Sequence, residues 1–243
     1  MSSMMFQGMF FFFVLILISI PLGWYIKETM QGKIPKYMRF LQPLENGVYK
    51  IIGSVSAKSY LLSILILSIL SFVFLTVLLM TQHFLPGGQN VANMSLDLAI
   101  NTSVSFMTNT NWQAYSGETS LSNFSQMFGL TVQNFVSAGV GMSVVCALFR
   151  GITQKQTKLI GNFWKDLTRS LIYTLFPLSV IVAIILISQG TVQTLSQGVA
   201  YQGFEGQELW LYLGPVASQV AIKQLGTNGG GFFGANSAFP FEN

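Results

Sequence analysis

The chain has 243 residues, 51% of them hydrophobic and only 8% charged, with a formal net charge of +4 and a mean hydropathy of +0.55. Soluble domains carry roughly a quarter charged residues, so no solvated shell can be built from this composition. Its apolar content also excludes a disordered chain, and a single cysteine, Cys146, excludes a disulfide scaffold. The sequence is that of an integral membrane protein.

The first element is the apolar run Met4–Ile26. A signal peptide is the rival reading, but no Lys or Arg precedes Lys27, and Pro21-Leu22-Gly23-Trp24 is a poor small-residue cleavage site. A retained span is expected. Crossing the hydrocarbon takes about 20 mostly apolar residues, and three further charge-free stretches qualify: Tyr60–Met80, Phe124–Phe149 and Leu171–Ser188. The third span holds Gln126, Gln133 and Asn134 and glycines at 129, 139 and 141. Polar and small residues in a span face other helices or a wet cavity. That span is therefore expected inside, and the Leu/Ile/Ser-rich second one towards lipid.

Charge placement orients the spans. Residues 27–59 hold Lys27, Lys33, Lys36, Arg39, Lys50 and Lys58, and residues 150–169 hold Arg150, Lys155, Lys158, Lys165 and Arg169. Eleven of the 12 basic residues lie in these two connections. The positive-inside rule puts both in the cytoplasm and the N-terminus outside. The basic excess is thus an orientation signal, and no nucleic-acid partner is implied.

The two outer connections repeat one plan. Ser95–Met107 reads as a short helix with Ser95 as its cap and Asp97 as a first-turn acid. About 12 residues rise only ~18 Å, too little to cross. Thr108-Asn109-Thr110-Asn111-Trp112-Gln113 follows. In the second connection, Pro215–Leu225 reads as a short helix with proline in its first turn, followed by Gly226-Thr227-Asn228-Gly229-Gly230-Gly231. The Thr-Asn pairs at 108 and 227 lie 119 residues apart, but Thr-Asn occurs twice in the first loop, which leaves the register open.

Such a repeat predicts two re-entrant pore loops, because irregular backbone at membrane depth survives only inside protein or beside a water-filled cavity. Carbonyl oxygens facing an axis can replace a cation's hydration shell, and two half-helix C-termini add partial negative charge. Neither strand contains a carboxylate, which suits K+ over Ca2+ or Mg2+. A plain turn is the simpler reading of one such loop. Two of them, each after a short helix between spans, favour the pore. A phosphate cradle is disfavoured because no Lys-Ser/Thr follows the glycines.

Val104-Ser-Phe-Met-Thr-Asn-Thr-Asn-Trp-Gln-Ala-Tyr-Ser-Gly-Glu118, Leu130-Thr-Val-Gln-Asn-Phe135, Gly214-Pro-Val-Ala-Ser-Gln219, Leu225-Gly-Thr-Asn-Gly-Gly-Gly-Phe-Phe233 and Asn236-Ser-Ala-Phe-Pro-Phe-Glu-Asn243 resemble the A subunits of Kdp potassium-transporting ATPases (KdpA), in their N-terminal half only. The resemblance implies an all-α polytopic membrane protein of the K+ channel-like transporter superfamily, with four transmembrane helices and two pore-helix/filter loops. It implies the potassium-binding subunit of an ATP-driven importer in the bacterial inner membrane, delivering external K+ to a P-type ATPase B subunit, with C and F subunits completing the complex. The family's filter positions fall on Asn109, Thr110 and Asn111 and on Thr227, Asn228 and Gly229. Gln113, Gly230 and Gly231 fall beside them, Gln113 at a position tied to ion affinity. K+ is then the transported ion, and no nucleotide binds this chain. The sequence departs from the family at Val220 (usually Glu), Gly234 (often Asn) and Phe239 (often His).

On this plan residues 1–59 form an extra helix and cytoplasmic loop, 60–150 a first membrane-pore-membrane repeat, and 151–243 a second that stops before its inner helix. Two loops cannot close a four-fold filter. A passive channel or symporter subunit, or a non-conducting remnant, are the rival functions. Among single residues, His83 is expected at the outer interface, Cys146 in packing, Trp112 as a buttress of the first strand, and Trp24, Tyr25, Trp210 and Tyr212 as interfacial anchors. Asp97 and Glu118 are read as mouth carboxylates or simple caps. Lys223, just before the second strand, is read either as a snorkelling or carbonyl-bonding side chain or as a charge that acts on the ion path. No nucleophile–base or paired-carboxylate constellation is present, so catalysis by this chain is not expected.

Overall fold

A computed structural model of the chain describes residues 3–52, 60–153 and 160–236. Lys58, Lys155 and Lys158 of the basic connections, Phe239 and most of the 236–243 motif lie outside these residues. The chain divides into two compact units, Met1–Gly53 and Ser54–Asn243. The first contains α1 (Ser3–Met30), a 3-10 turn (Lys36–Leu41) and α2 (Gln42–Ile52). Nearly every apolar side chain of α1 is exposed, as a helix solvated by lipid requires. A Lys33–Glu28 ion pair at 3.0 Å follows its last turn.

The second unit runs α3 (Tyr60–Met80), α4 (Leu96–Met107), a single turn α5 (Gly117–Ser120), a π-helical segment (Ser125–Thr131) continuing into α6 (Val132–Thr153), then α7 (Phe163–Arg169), a second π segment (Ser170–Leu175) and α8 (Phe176–Ser188). It closes with a hairpin, β1 (Gly198–Gln202) paired antiparallel with β2 (Glu208–Tyr212), and α9 (Val216–Leu225). Among the described residues four helical stretches are long and apolar enough to cross a membrane: Ser3–Met30, Tyr60–Met80, Ser125–Thr153 and Phe163–Ser188. The fold is an all-helical polytopic membrane protein, with the hairpin as an addition that the sequence reading did not contain. The last span starts at Phe163 rather than Leu171, because Asn162 caps α7 by accepting from the Lys165 amide at 3.2 Å.

Two helix pairs form the frame. α4 packs along α3, and α9 packs along α8. Leu75, Leu78 and Leu79 of α3 share one core with Ala99 and Phe106 of α4, and Leu130 joins it. The face of α3 carrying Leu62, Ile66, Leu70 and Phe74 is exposed. Glycines let spans approach: a Cβ at Gly139 would stand 2.7 Å from Leu171 Cδ2. At the far end of the same spans, Arg150 and Asp166 form a bidentate pair at 2.5 and 2.7 Å, and the Tyr60 hydroxyl lies 3.0 Å from Asp166. That cluster joins α3, α6 and α7 where the sequence leaves the hydrocarbon.

Val220 lies in a cluster with Val216, Phe232 and Phe233 at 3% exposure, so this departure from the resembled pattern completes an apolar packing. At Gly234 a Cβ would come within 2.5 Å of Ser116 Oγ, while its amide donates to Glu118 Oε2 at 2.8 Å. The smaller residue there fits the shorter gap.

Candidate ion-binding loops

Each loop begins where a short helix stops, and the two stops are the same structure. α4 ends at Met107 with Thr108 as cap; α9 ends at Leu225 with Gly226 as cap. The amides of Thr108 and Gly226 bond back to Val104 and Ile222 (3.1 and 2.9 Å), those of Asn109 and Thr227 to Phe106 and Gln224 (3.4 and 3.3 Å), and those of Thr110 and Asn228 to Ser105 and Lys223 (3.0 and 2.9 Å). This is the Schellman ending, in which the residue after the cap turns left-handed. Asn109 (φ 65°) and Thr227 (φ 54°) occupy that position. The repeat register is therefore 118 residues, and the Thr-Asn pairs 119 apart are not structurally equivalent. Asn tolerates the left-handed region, but for β-branched Thr227 it is a strained conformation.

At their other ends the half-helices differ from the capping expected. Ser95 occupies the cap position of α4 without bonding a backbone amide. The neighbouring Ser95 hydroxyl and the Leu98 amide hold the Asp97 carboxyl below the usual carboxylate range. Pro215 is the residue preceding α9 rather than part of its first turn.

The loops meet edge to edge. A Cβ at Gly229 would stand 2.5 Å from the Thr110 carbonyl oxygen, and one at Gly230 (φ 66°) would collide with that of Asn111. Side chains stitch the contact. Asn109 Nδ2 donates to the Gly226 carbonyl at 3.2 Å, and Asn228 Nδ2 donates to Asn109 Oδ1 and, at 3.2 Å, to Asn111 Oδ1. Ser137 of α6 donates to Asn109 Oδ1 at 2.7 Å, and Asn111 Nδ2 donates to Asn134 Oδ1. Polar residues of the third span thus face the loops, Asn134 and Ser137 among them, and Gln126, Gln133 and Asn134 are all buried.

Behind the second loop the backbone is held residue by residue. Lys223 Nζ donates to the Gly230 carbonyl at 3.0 Å, the Gly231 amide donates to Gln113 Oε1 at 3.1 Å, and Gln126 Nε2 donates to the Phe232 carbonyl at 3.0 Å. Gln219 Nε2 supports Gln126 from α9 at 3.1 Å. Gln126 sits in the π segment, a local widening of the helix that often accompanies functional sites. Tyr115 stands beside Gln113 and Thr102, and burial pushes its hydroxyl up to about 12.

All nine residues singled out from the sequence, Asn109, Thr110, Asn111, Gln113, Thr227, Asn228, Gly229, Gly230 and Gly231, lie in this one cluster. Among the described residues, no hydrogen-bond donor meets the carbonyl oxygens of Asn109, Thr110, Thr227, Asn228 or Gly229. Thr110 and Thr227 are exposed and Asn109, Asn228 and Gly229 half-buried, so these oxygens are open to solvent or to a ligand. Trp112 does not buttress its strand: it is 77% exposed, and Asn134 and Ser105 hold the strand instead. Asn134, Ser137 and Gln126 were not singled out as ligand-supporting residues; their polar character inside an apolar span was the available signal. His83 lies in an exposed turn after α3, its Nδ1 3.2 Å from the Val91 carbonyl oxygen. Cys146 is half-buried in α6.

The family profile of the potassium-transporting ATPase A subunit, KdpA, matches residues 9–243. Proteins described as potassium-transporting ATPase potassium-binding subunits are similar over nearly all of the chain. One from Listeria monocytogenes is 50% identical across 100% of this chain and 44% of its own length. One from Clostridium perfringens is 47% identical across 100% of this chain and 44% of its own. One from Pseudomonas fluorescens is 50% identical across 96% of this chain and 42% of its own. The chain therefore spans less than half the length of the curated relatives it matches.

Proposed function

The chain belongs to the family of potassium-transporting ATPase A subunits, and from that premise we propose that its two loops form part of a K+ selectivity filter in an ATP-driven importer. Asn109, Thr110 and Asn111 contribute one wall and Thr227, Asn228 and Gly229 the next. Gln113, Gly230 and Gly231 keep the walls in register. The observation that carries this reading is the pair of matched Schellman endings, whose following strands abut with carbonyl oxygens that meet no donor among the described residues. Neutral oxygens in a rigid ring suit a large monovalent cation, whose hydration they replace.

The loops re-enter the membrane from outside, with the N-terminus outside and the basic connections in the cytoplasm of the bacterial inner membrane. Residues 60–150 and 151–243 act as two membrane-pore-membrane repeats after an extra N-terminal helix, and the remaining filter walls come from outside the matched stretch. ATP hydrolysis belongs to a P-type ATPase B subunit, to which this subunit passes the ion, with C and F subunits completing the complex.

The test is K+ uptake into vesicles by the complete complex carrying this stretch, with the membrane potential collapsed. Uptake that persists and requires ATP is expected. Uptake that follows the potential and ignores ATP would make the chain part of a passive channel or symporter, and no uptake at all would make it a remnant. Within the same assay Gly229→Asp should change the preference among K+, Rb+ and Na+, because a carboxylate enters beside the Thr110 carbonyl.

A further inference from the structure

With the loops superposed by their 118-residue register, one bond recurs with a change of charge. In the first loop the Ser105 hydroxyl donates to the Trp112 carbonyl at 3.0 Å. In the second, the equivalent residue is Lys223, and its ammonium donates to the equivalent carbonyl, Gly230, also at 3.0 Å. A neutral hydroxyl is thus sufficient to tie the strand back to its half-helix. The second repeat makes the same tie with a cation, in a site meant to receive cations.

We propose that Lys223 is a positioning residue that sets ion affinity: its fixed charge keeps the Gly230 carbonyl out of the ion path and limits how tightly the second wall holds a cation. The inference rests on the filter reading given above. Lys223 sits in the last turn of α9 at 4% exposure. Its own carbonyl takes the Asn228 amide at 2.9 Å while its side chain takes the Gly230 carbonyl, so it holds the loop on both sides of Gly229. The peptide group joining Gly230 to Gly231 is held twice, its oxygen by Lys223 and its N–H by Gln113. That peptide cannot turn its oxygen towards an ion without leaving the ammonium. Strong sites retain ions and slow their release, whereas conduction needs binding that can also let go. A positive charge behind one wall of four weakens binding on that side without removing a ligand from the others.

The experiment compares Lys223→Met, Lys223→Gln and Lys223→Arg in the complete complex, reading the K+ concentration for half-maximal ATP-driven uptake together with the maximal rate. The neutral variants should lower the half-saturating K+ at least tenfold and lower the maximal rate, and Lys223→Arg should keep both near the starting values. Unchanged values in the neutral variants would overturn the proposal. So would weaker K+ affinity, or loss of assembly confined to the neutral variants, since the lysine would then be only a strut. Gly229→Asp serves as the control. If its ion preference is unchanged the filter reading itself fails, whereas a changed preference beside silent Lys223 variants defeats this inference alone.

Discussion

Gly230 and Thr227 show how much of this site is decided by single backbone angles. At φ 66° Gly230 sits where an L-residue costs roughly 1–2 kcal/mol, and a Cβ would also strike the Asn111 carbonyl. Gly230→Ala should therefore lower the unfolding midpoint of the purified protein and abolish high-affinity K+ uptake together, as thermal melts and uptake assays would show. An alanine variant with unaltered stability would mean that the loops do not abut. Thr227 carries the opposite sign. Its left-handed φ of 54° stores strain of about 1 kcal/mol or more, so Thr227→Gly should raise stability while ion discrimination falls. Loss of both would show that the threonine side chain, and not the backbone, holds the turn.

At the scale of elements, two buried polar assemblies position the loops, and each makes a prediction. Gln126→Leu would leave the Phe232 carbonyl and Gln219 without their partner, at a cost of about 1–3 kcal/mol. A thermal shift should accompany loosened ion preference, because Phe232 directly follows the second loop. The Arg150–Asp166 pair should behave as a unit. Asp166→Asn alone should destabilise by about 3–5 kcal/mol, whereas Arg150→Met with Asp166→Leu should cost much less. A double-mutant cycle in thermal unfolding checks this; additive losses would contradict the pairing. Much of this framework was legible in the sequence: charge-free runs placed the four spans, and the Ser95 and Pro215 start signals placed α4 and α9 to within a residue at each end. The π segments were not, because no residue type marks a widened turn, although they decide where Gln126 points. The hairpin was overlooked despite alternating Val199 and Tyr201 opposite Leu209 and Leu211. Its apolar residues read as interfacial anchors in a membrane protein. The loop register also escaped, because matching words suggested 119 residues and only hydrogen bonds at the helix ends give 118.

For the whole molecule, residue type and context marked the two loops and the family resemblance picked out the nine residues, but their mutual contact was not legible. Pairings such as Asn109 with Gly226 span more than a hundred positions and depend on how α6 separates the two repeats. On the proposed reading these loops supply two walls for an ion, and the chain spans less than half the length of the curated relatives it matches. The most direct measurement is the position of Rb+ or Tl+ by anomalous scattering in crystals of the complete subunit within its complex. The ion is expected in direct contact with carbonyl oxygens of Asn109, Thr110, Thr227, Asn228 and Gly229. An ion bound elsewhere in a transport-competent complex, with these oxygens meeting only water or protein, would contradict the account.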